Sequence, residues 1–480
     1  MTGKHAHPLS RITMRMLPFS DAVSEDLPWG QLLRLSLFQV SVGMATVMLL
    51  GTLNRVMIVE LSLPAMLVAT MIALPVLIAP FRTMLGFRSD TYRSAIGWKR
   101  IPYLWFGTIW QMGGLAIMPL ALLSLGGGQV VGPDWAGEVI AAIAFLMTGV
   151  GLHMTQTAGL ALASDRATDE TRPRVVALLY VMFLIGAGLS AVVVGWLLKD
   201  FSELKLVRVV QGAAVVGAIL NLVALWKQER VRPMSKAERD EPRPLFRDAW
   251  SDYIKGGQAG RLLVVVFLGT MAFNMQDVLL EPYGGEVLGL SVSATTLLTA
   301  VWAFGALCGF GYAARLLSRK ISTYRMIRRG LSVGILAFCI VIFAAPMNSA
   351  LIFFIGAATI GFGGGLFAVS TLTSAMTMPA EGLAGRGLAL GAWGAAQATA
   401  AGASIAIGGA LRDGINSLAL NGKLGEALAT PTTGYSFVYH SEILLLFLTL
   451  FALGPLLRGD SKGSTYQKGS ARIGLADFPT

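Results

Sequence analysis

Apolar residues fill this chain in long blocks, not in alternation. Twelve blocks are long enough to cross a hydrocarbon core of about 30 Å, which takes roughly 20 helical residues. They lie near 32–54, 64–85, 101–124, 137–163, 174–198, 207–226, 261–281, 293–317, 327–345, 349–376, 386–411 and 434–457. No series of alternating ten-residue segments competes, so the period predicts helices and not a membrane barrel. The predicted fold class is all-α and integral to the membrane, with twelve transmembrane helices and both termini on one side.

The longest polar interruption, Lys227 to Gly260, splits the spans six and six. This predicts an N-terminal segment (1–31), a six-helix bundle (32–226), a linker (227–260), a second six-helix bundle (261–457) and a tail (458–480). The halves echo each other: Arg174 and Arg386 open corresponding helices, and basic loops follow spans two and eight. Paired six-span repeats are the architecture of major facilitator transporters, with the substrate space between the halves. The stretch GFRSDTYRSAIGWKR (86–100) resembles the signature loop of that superfamily. The resemblance gives Gly86, Asp90, Arg93, Gly97, Lys99 and Arg100, with Arg174 and Arg386, a structural or gating role.

Composition agrees with the pattern: 54% of residues are hydrophobic and 14% charged. The net charge of +11 first suggests nucleic acid, but its placement argues otherwise. All of the 38 Lys and Arg except Arg55, Lys199, Lys205, Arg208, Arg412 and Lys423 fall on the side of the termini. That asymmetry is the positive-inside rule and marks the basic side as cytoplasmic, with some attraction to anionic membrane lipids. No cleaved signal peptide is expected. Cys308 and Cys339 lie within spans without metal-ligand spacing.

Candidate chemistry is sparse, and no phosphate loop, nucleophile elbow or zinc-site spacing is present, so no enzymatic activity and no metal centre are expected. Within spans, His153, Gln156, Asn274 and Gln276 are polar groups that need a partner, since burying one unpartnered in lipid is costly; a ligand is one, and for His153 a hydrogen bond to a neighbouring helix is the other reading. Asp277 and Glu281, with Arg55 and Glu60, form an expected polar cluster at the outer ends. These carboxylates sit away from the midplane, so no mid-membrane acid for proton-driven pumping is expected. Spans five and eleven are dense in Gly and Ala, as close helix packing requires; a slot for a flat ligand is the alternative. In the linker, Phe246, Trp250 and Tyr253 recur at helical spacing, as in an interfacial helix or a partner-docking face.

Four stretches are similar to the bacteriochlorophyll-delivery (PucC/LhaA) family of purple phototrophic bacteria. They are LRLSLFQVSVGMATVMLLGTLNRVMIVEL (33–61), APFRTMLGFRSD (79–90), KRIPYLWFGT (99–108) and FLGTMAFNMQDVLLEPYGGEVLGLS (267–291). The resemblance covers nearly the whole chain, and general similarity favours the core-antenna type, LhaA. It implies a light-harvesting assembly factor of the bacterial inner (intracytoplasmic) membrane carrying bacteriochlorophyll a, with a carotenoid as a second pigment. The implied partners are the antenna α and β polypeptides and the reaction-centre core complex, then bacteriochlorophyll synthase and the insertion machinery. The pigment would lie at the lipid boundary or in the cleft between halves, with His153, Gln156, Asn274 or Gln276 reaching the magnesium or a ring substituent. Two other readings stay open: a proton-coupled transporter of a small solute or porphyrin, and a pigment-free membrane chaperone.

Overall fold

The computed structural model of the chain describes residues 27–57, 61, 63, 65–125, 135–198, 202–240, 242–255, 257–290, 292–378, 385–430 and 432–469. Regular structure among the described residues is helical throughout. Span one, Trp29–Val47, continues through a π-helical turn at Met48–Thr52. Span two, Ala65–Ile78, gives way to a 3₁₀ turn at Ala79–Phe81 and resumes as Arg82–Thr91. Pro80 lacks the N–H that would continue the α-helical ladder, which places the break there. Spans three to six are Ile101–Leu125, Ala136–Arg166, Arg172–Leu197 and Glu203–Leu225, and a linker helix covers Phe246–Lys255.

Span seven is also interrupted: Gln258–Asn274, a 3₁₀ turn at Met275–Val278, then Leu280–Glu286. Val292–Leu317, Thr323–Ala344, Ala350–Thr377, Arg386–Leu420 and Thr432–Gly469 supply spans eight to twelve. Eleven of these are both long and apolar enough to cross a membrane. Span eleven has the length, at 35 residues, but its Gly and Ala carry little hydropathy. Outward side chains are those of a lipid-facing surface: Trp196 is 74% exposed and Phe451 85%. The chain is a multi-pass helical membrane protein.

Contacts group the chain into two compact units. The first comprises residues 1–255 with 375–402, and its core joins Met48, Leu115, Phe145 and Leu206 from spans one, three, four and six. The second comprises 256–374 with 403–480. Aromatic rings fill it: Tyr283 has Phe353 at 5.2 Å and both Tyr435 and Tyr439 at 5.4 Å between ring centroids. This division departs from the expected boundaries in span eleven, whose first half packs within the first unit. Missing side chains are the reason. A Cβ on Gly86 would overlap the carbonyl of Gly387, and one on Gly391 would overlap that of Arg82. The small residues of span eleven therefore serve helix packing here, the first of the two roles expected of them.

Candidate functional site

In the first unit, two carboxylates each cap a helix to which they do not belong. Asp90 accepts from the backbone N–H of Gly387 at 2.9 Å and Leu388 at 2.8 Å, at the start of span eleven. Glu229, from the linker, accepts from Lys99, Arg100 and Ile101 at 3.1–3.2 Å, at the start of span three. A helix N-terminus leaves these donors unpaired and its dipole favours an anion, so both positions suit a carboxylate. Arg100 ties the caps together, donating to Asp90 at 2.5 Å, Asp165 at 3.0 Å and Ser89 at 2.6 Å. Burial alone would lower the Arg100 pKa, but Asp165 and Asp90 outweigh it and hold the guanidinium above its ordinary value. Arg386 donates to the Ser164 carbonyl at 3.1 Å and faces Asp165 at 3.6 Å.

The rest of the signature loop is held by the linker. Gly97, at φ 81°, brings its backbone against the carbonyl of Arg232, a conformation and approach that favour glycine. Arg93 donates to the Glu238 carbonyl at 2.7 Å. Glu238 is exposed, and hydrogen bonds from the Ser235 backbone and side chain hold its carboxyl below the usual range. Asp90, Arg93, Lys99, Glu238 and Arg243 surround a cavity of about 340 Å³. Arg174 is half-buried in the first turn of span five.

Phe246, Trp250 and Tyr253 do form one face of a helix, but that face is partly occupied. They pack on Phe87 and Leu388, with Phe246 5.5 Å from Phe87 between centroids, and the Tyr253 hydroxyl reaches Met378 Sδ at 3.7 Å. All three stay half-buried, so the chain's own apolar groups cover part of this face.

Deeper in the same unit, Arg82 is 1% exposed. Its Nε donates to Thr157 Oγ1 at 3.1 Å and its Nη1 to the Gly394 carbonyl at 3.3 Å, while Nη2 has no partner. His153, 6% exposed, contacts the Pro75 carbonyl through Nε2 at 2.9 Å. A carbonyl only accepts, so Nε2 carries the hydrogen and Nδ1, also buried, keeps a bare lone pair. The imidazole thus clamps span four to span two and presents no exposed nitrogen to a macrocycle. Gln156 is half-buried on the same span and makes no hydrogen bond among the described residues.

In the second unit, Asn274 is half-buried where span seven breaks. Gln276 is not available to a ligand as expected: it is buried, and its amide nitrogen donates to Asp277 Oδ1 at 2.6 Å and the Phe273 carbonyl at 3.4 Å. Glu281 accepts from Thr299 at 2.5 Å. Glu60 lies outside the described residues, and Arg55 ends a short helical segment, Leu53–Arg55. In the same unit, Arg412 donates to Glu286 at 2.6 Å and stacks 4.7 Å over the Tyr435 ring, whose hydroxyl also donates to Glu286 at 2.8 Å.

The expectation of an acid-free membrane interior is overturned by Glu442. It lies ten residues inside span twelve, about 15 Å along the helix and so near mid-depth. It is 0% exposed.

A profile of the PUCC protein family matches residues 52–461. The chain belongs to that family. An uncharacterized protein of the puhA-bchM intergenic region of Rhodobacter capsulatus is 61% identical over 98% of each chain. Protein PucC of Cereibacter sphaeroides is 48% identical over 94% of this chain and 97% of its own. The 44.5 kDa chain of bacteriochlorophyll synthase from Rhodobacter capsulatus is 28% identical, over 92% and 99%. Among solved structures, an outward-facing bacterial homologue of the iron transporter ferroportin superposes with a TM-score of 0.66 at 15% identity, covering 88% of this chain and 97% of that one. The human organic anion transporter MFSD10 gives 0.58 at 13% identity, over 88% and 100%. These likenesses show the fold, of the major facilitator type.

Four residues of this PUCC family chain carry the polar geometry yet escaped the sequence reading: Arg82, Asp165, Glu229 and Glu442. Glu442 alone had a plain signal, a carboxylate well inside the apolar run SEILLLFLTLFALG. Asp165 and Glu229 look like ordinary loop-edge charges until the fold supplies their donors.

Proposed function

We propose that this protein is a light-harvesting assembly factor that holds bacteriochlorophyll a within the bilayer and passes it laterally to antenna α and β polypeptides, without catalysis of its own. The observation that carries the reading is the PUCC family match across residues 52–461, joined to the sequence resemblance to bacteriochlorophyll-delivery proteins. The basic side, with the linker and both termini, faces the cytoplasm of the bacterial inner (intracytoplasmic) membrane. The client is the core antenna around the reaction centre, as for LhaA. A carotenoid, bacteriochlorophyll synthase and the insertion machinery complete the expected partners.

Gln156 and Asn274, half-buried and with unused amides, are the groups this reading assigns to a ring substituent. His153 takes part only if span four moves away from Pro75. Gently solubilised protein should show bacteriochlorophyll absorption and bring antenna polypeptides with it. Gln156→Leu should lower bound pigment at constant protein level. Colourless wild-type protein that still captures antenna polypeptides would make it a pigment-free chaperone instead.

A further inference from the structure

We propose that Glu442, with Asp277 as its neighbour, forms a proton-binding site inside the second unit. The inference is independent of which cargo the protein carries. Neither carboxyl oxygen of Glu442 has a hydrogen-bond partner, and the buried Tyr439 hydroxyl, one turn earlier on the same helix, has none either. The Gln276 side-chain oxygen is likewise buried and unpartnered. The Gln276 amide nitrogen, which would be the natural donor, is spent on Asp277 and Phe273. The polar groups acting on Glu442 are the Asp277 carboxyl and the Gln276 backbone. The cluster thus sets three unpartnered acceptor oxygens, two of Glu442 and one of Gln276, against a single free donor, the Tyr439 hydroxyl.

An ionised carboxylate in such a place bears a desolvation cost of several kcal/mol unless a cation or donors offset it. Among the described residues no cation does so. Spans nine and ten hold no charged residue C-terminal to Arg329, and span seven holds none between Arg261 and Asp277. Arg412 is engaged by Glu286, Asp413 and Tyr435. The other titratable groups around the site are the phenols Tyr283, Tyr435 and Tyr439, with the half-buried thiol of Cys339 on span nine. A second carboxylate, Asp277, repels an ionised Glu442 and does not compensate it. A proton resolves the conflict without needing a cavity: it neutralises Glu442 and turns one oxygen into a donor.

The backbone supplies a second reason. Span seven breaks into a 3₁₀ turn at Met275–Val278, next to this carboxyl. Non-helical backbone at membrane depth is tolerated where it is buried in protein or lines a cavity, and interrupted helices form the binding sites of many transporter folds. Asp277 lies in that turn, nearer the protein surface than the fully buried Glu442. The second carboxyl is therefore placed to pass a proton to the first.

Infrared spectroscopy of the full-length protein in lipid nanodiscs at neutral pH tests this. The wild type should show the carbonyl stretch of a protonated carboxylic acid that shifts in deuterated water. The band should vanish in Glu442→Gln and persist in Asp277→Asn. Isotope-labelled glutamate incorporated into the wild type should move the same band, which needs no variant to fold. Absence of the band, its persistence in Glu442→Gln, or its failure to move with the label would overturn the proposal. Loss of the band on adding sodium at constant pH would also overturn it, making the ligand a metal cation.

Discussion

Asp90 is a half-buried carboxylate and Glu442 a fully buried one, and the contrast between their surroundings separates two uses of charge in one membrane protein. Asp90 has two backbone N–H donors and a guanidinium within 2.9 Å; neither carboxyl oxygen of Glu442 has a donor in hydrogen-bonding geometry. A satisfied carboxylate acts as a structural tie, because removing it strands donors and a charge that the fold has already desolvated. An unsatisfied one gives the folded state no such return. The first unit spends its acids on holding helix ends, and the second keeps one poised to take up a ligand.

The sharpest way to break this comparison is Asp90→Ala. It leaves the first turn of span eleven uncapped and Arg100 with one carboxylate instead of two, and should cost about 3 kcal/mol. Unfolding of purified protein in a mild detergent would measure the loss. A smaller effect is expected at the second cap: Glu229→Ala should cost about 1 kcal/mol, because a helix cap is lost without stranding a buried charge. The smallest effect, and of opposite sign, belongs to Glu442→Gln, which removes the option of ionising in a dry site. Its unfolding free energy should be unchanged or up to about 1 kcal/mol higher. A loss at Glu442 matching that at Asp90 would show that the two carboxylates are held alike, and the contrast would fall.

Much of the architecture was legible because a bilayer imposes it on sequence. Twelve apolar blocks, the polar linker and the one-sided Lys and Arg follow from the thickness and charge of the membrane. The site was less legible. His153 was visible as a polar group in a span, but not that its Nε2 is taken by Pro75, 78 residues away. The linker's aromatic stripe was visible, yet an amphipathic face reads the same whether lipid, a partner or the chain's own Phe87 covers it. The pair of Arg412 with Glu286, 126 residues apart, was not read from the sequence at all.

What the sequence determined by itself was therefore which segments cross the membrane, the charge asymmetry that orients them, and the family to which the chain belongs. Only the tertiary structure decided which charges are satisfied. Asp90 finds its donors 297 and 298 positions along the chain, and Glu442 finds none. Hydrophobic length is a local property that a window of residues can display. Hydrogen-bond satisfaction depends on which distant backbone groups the fold brings within 3 Å, and no window contains that.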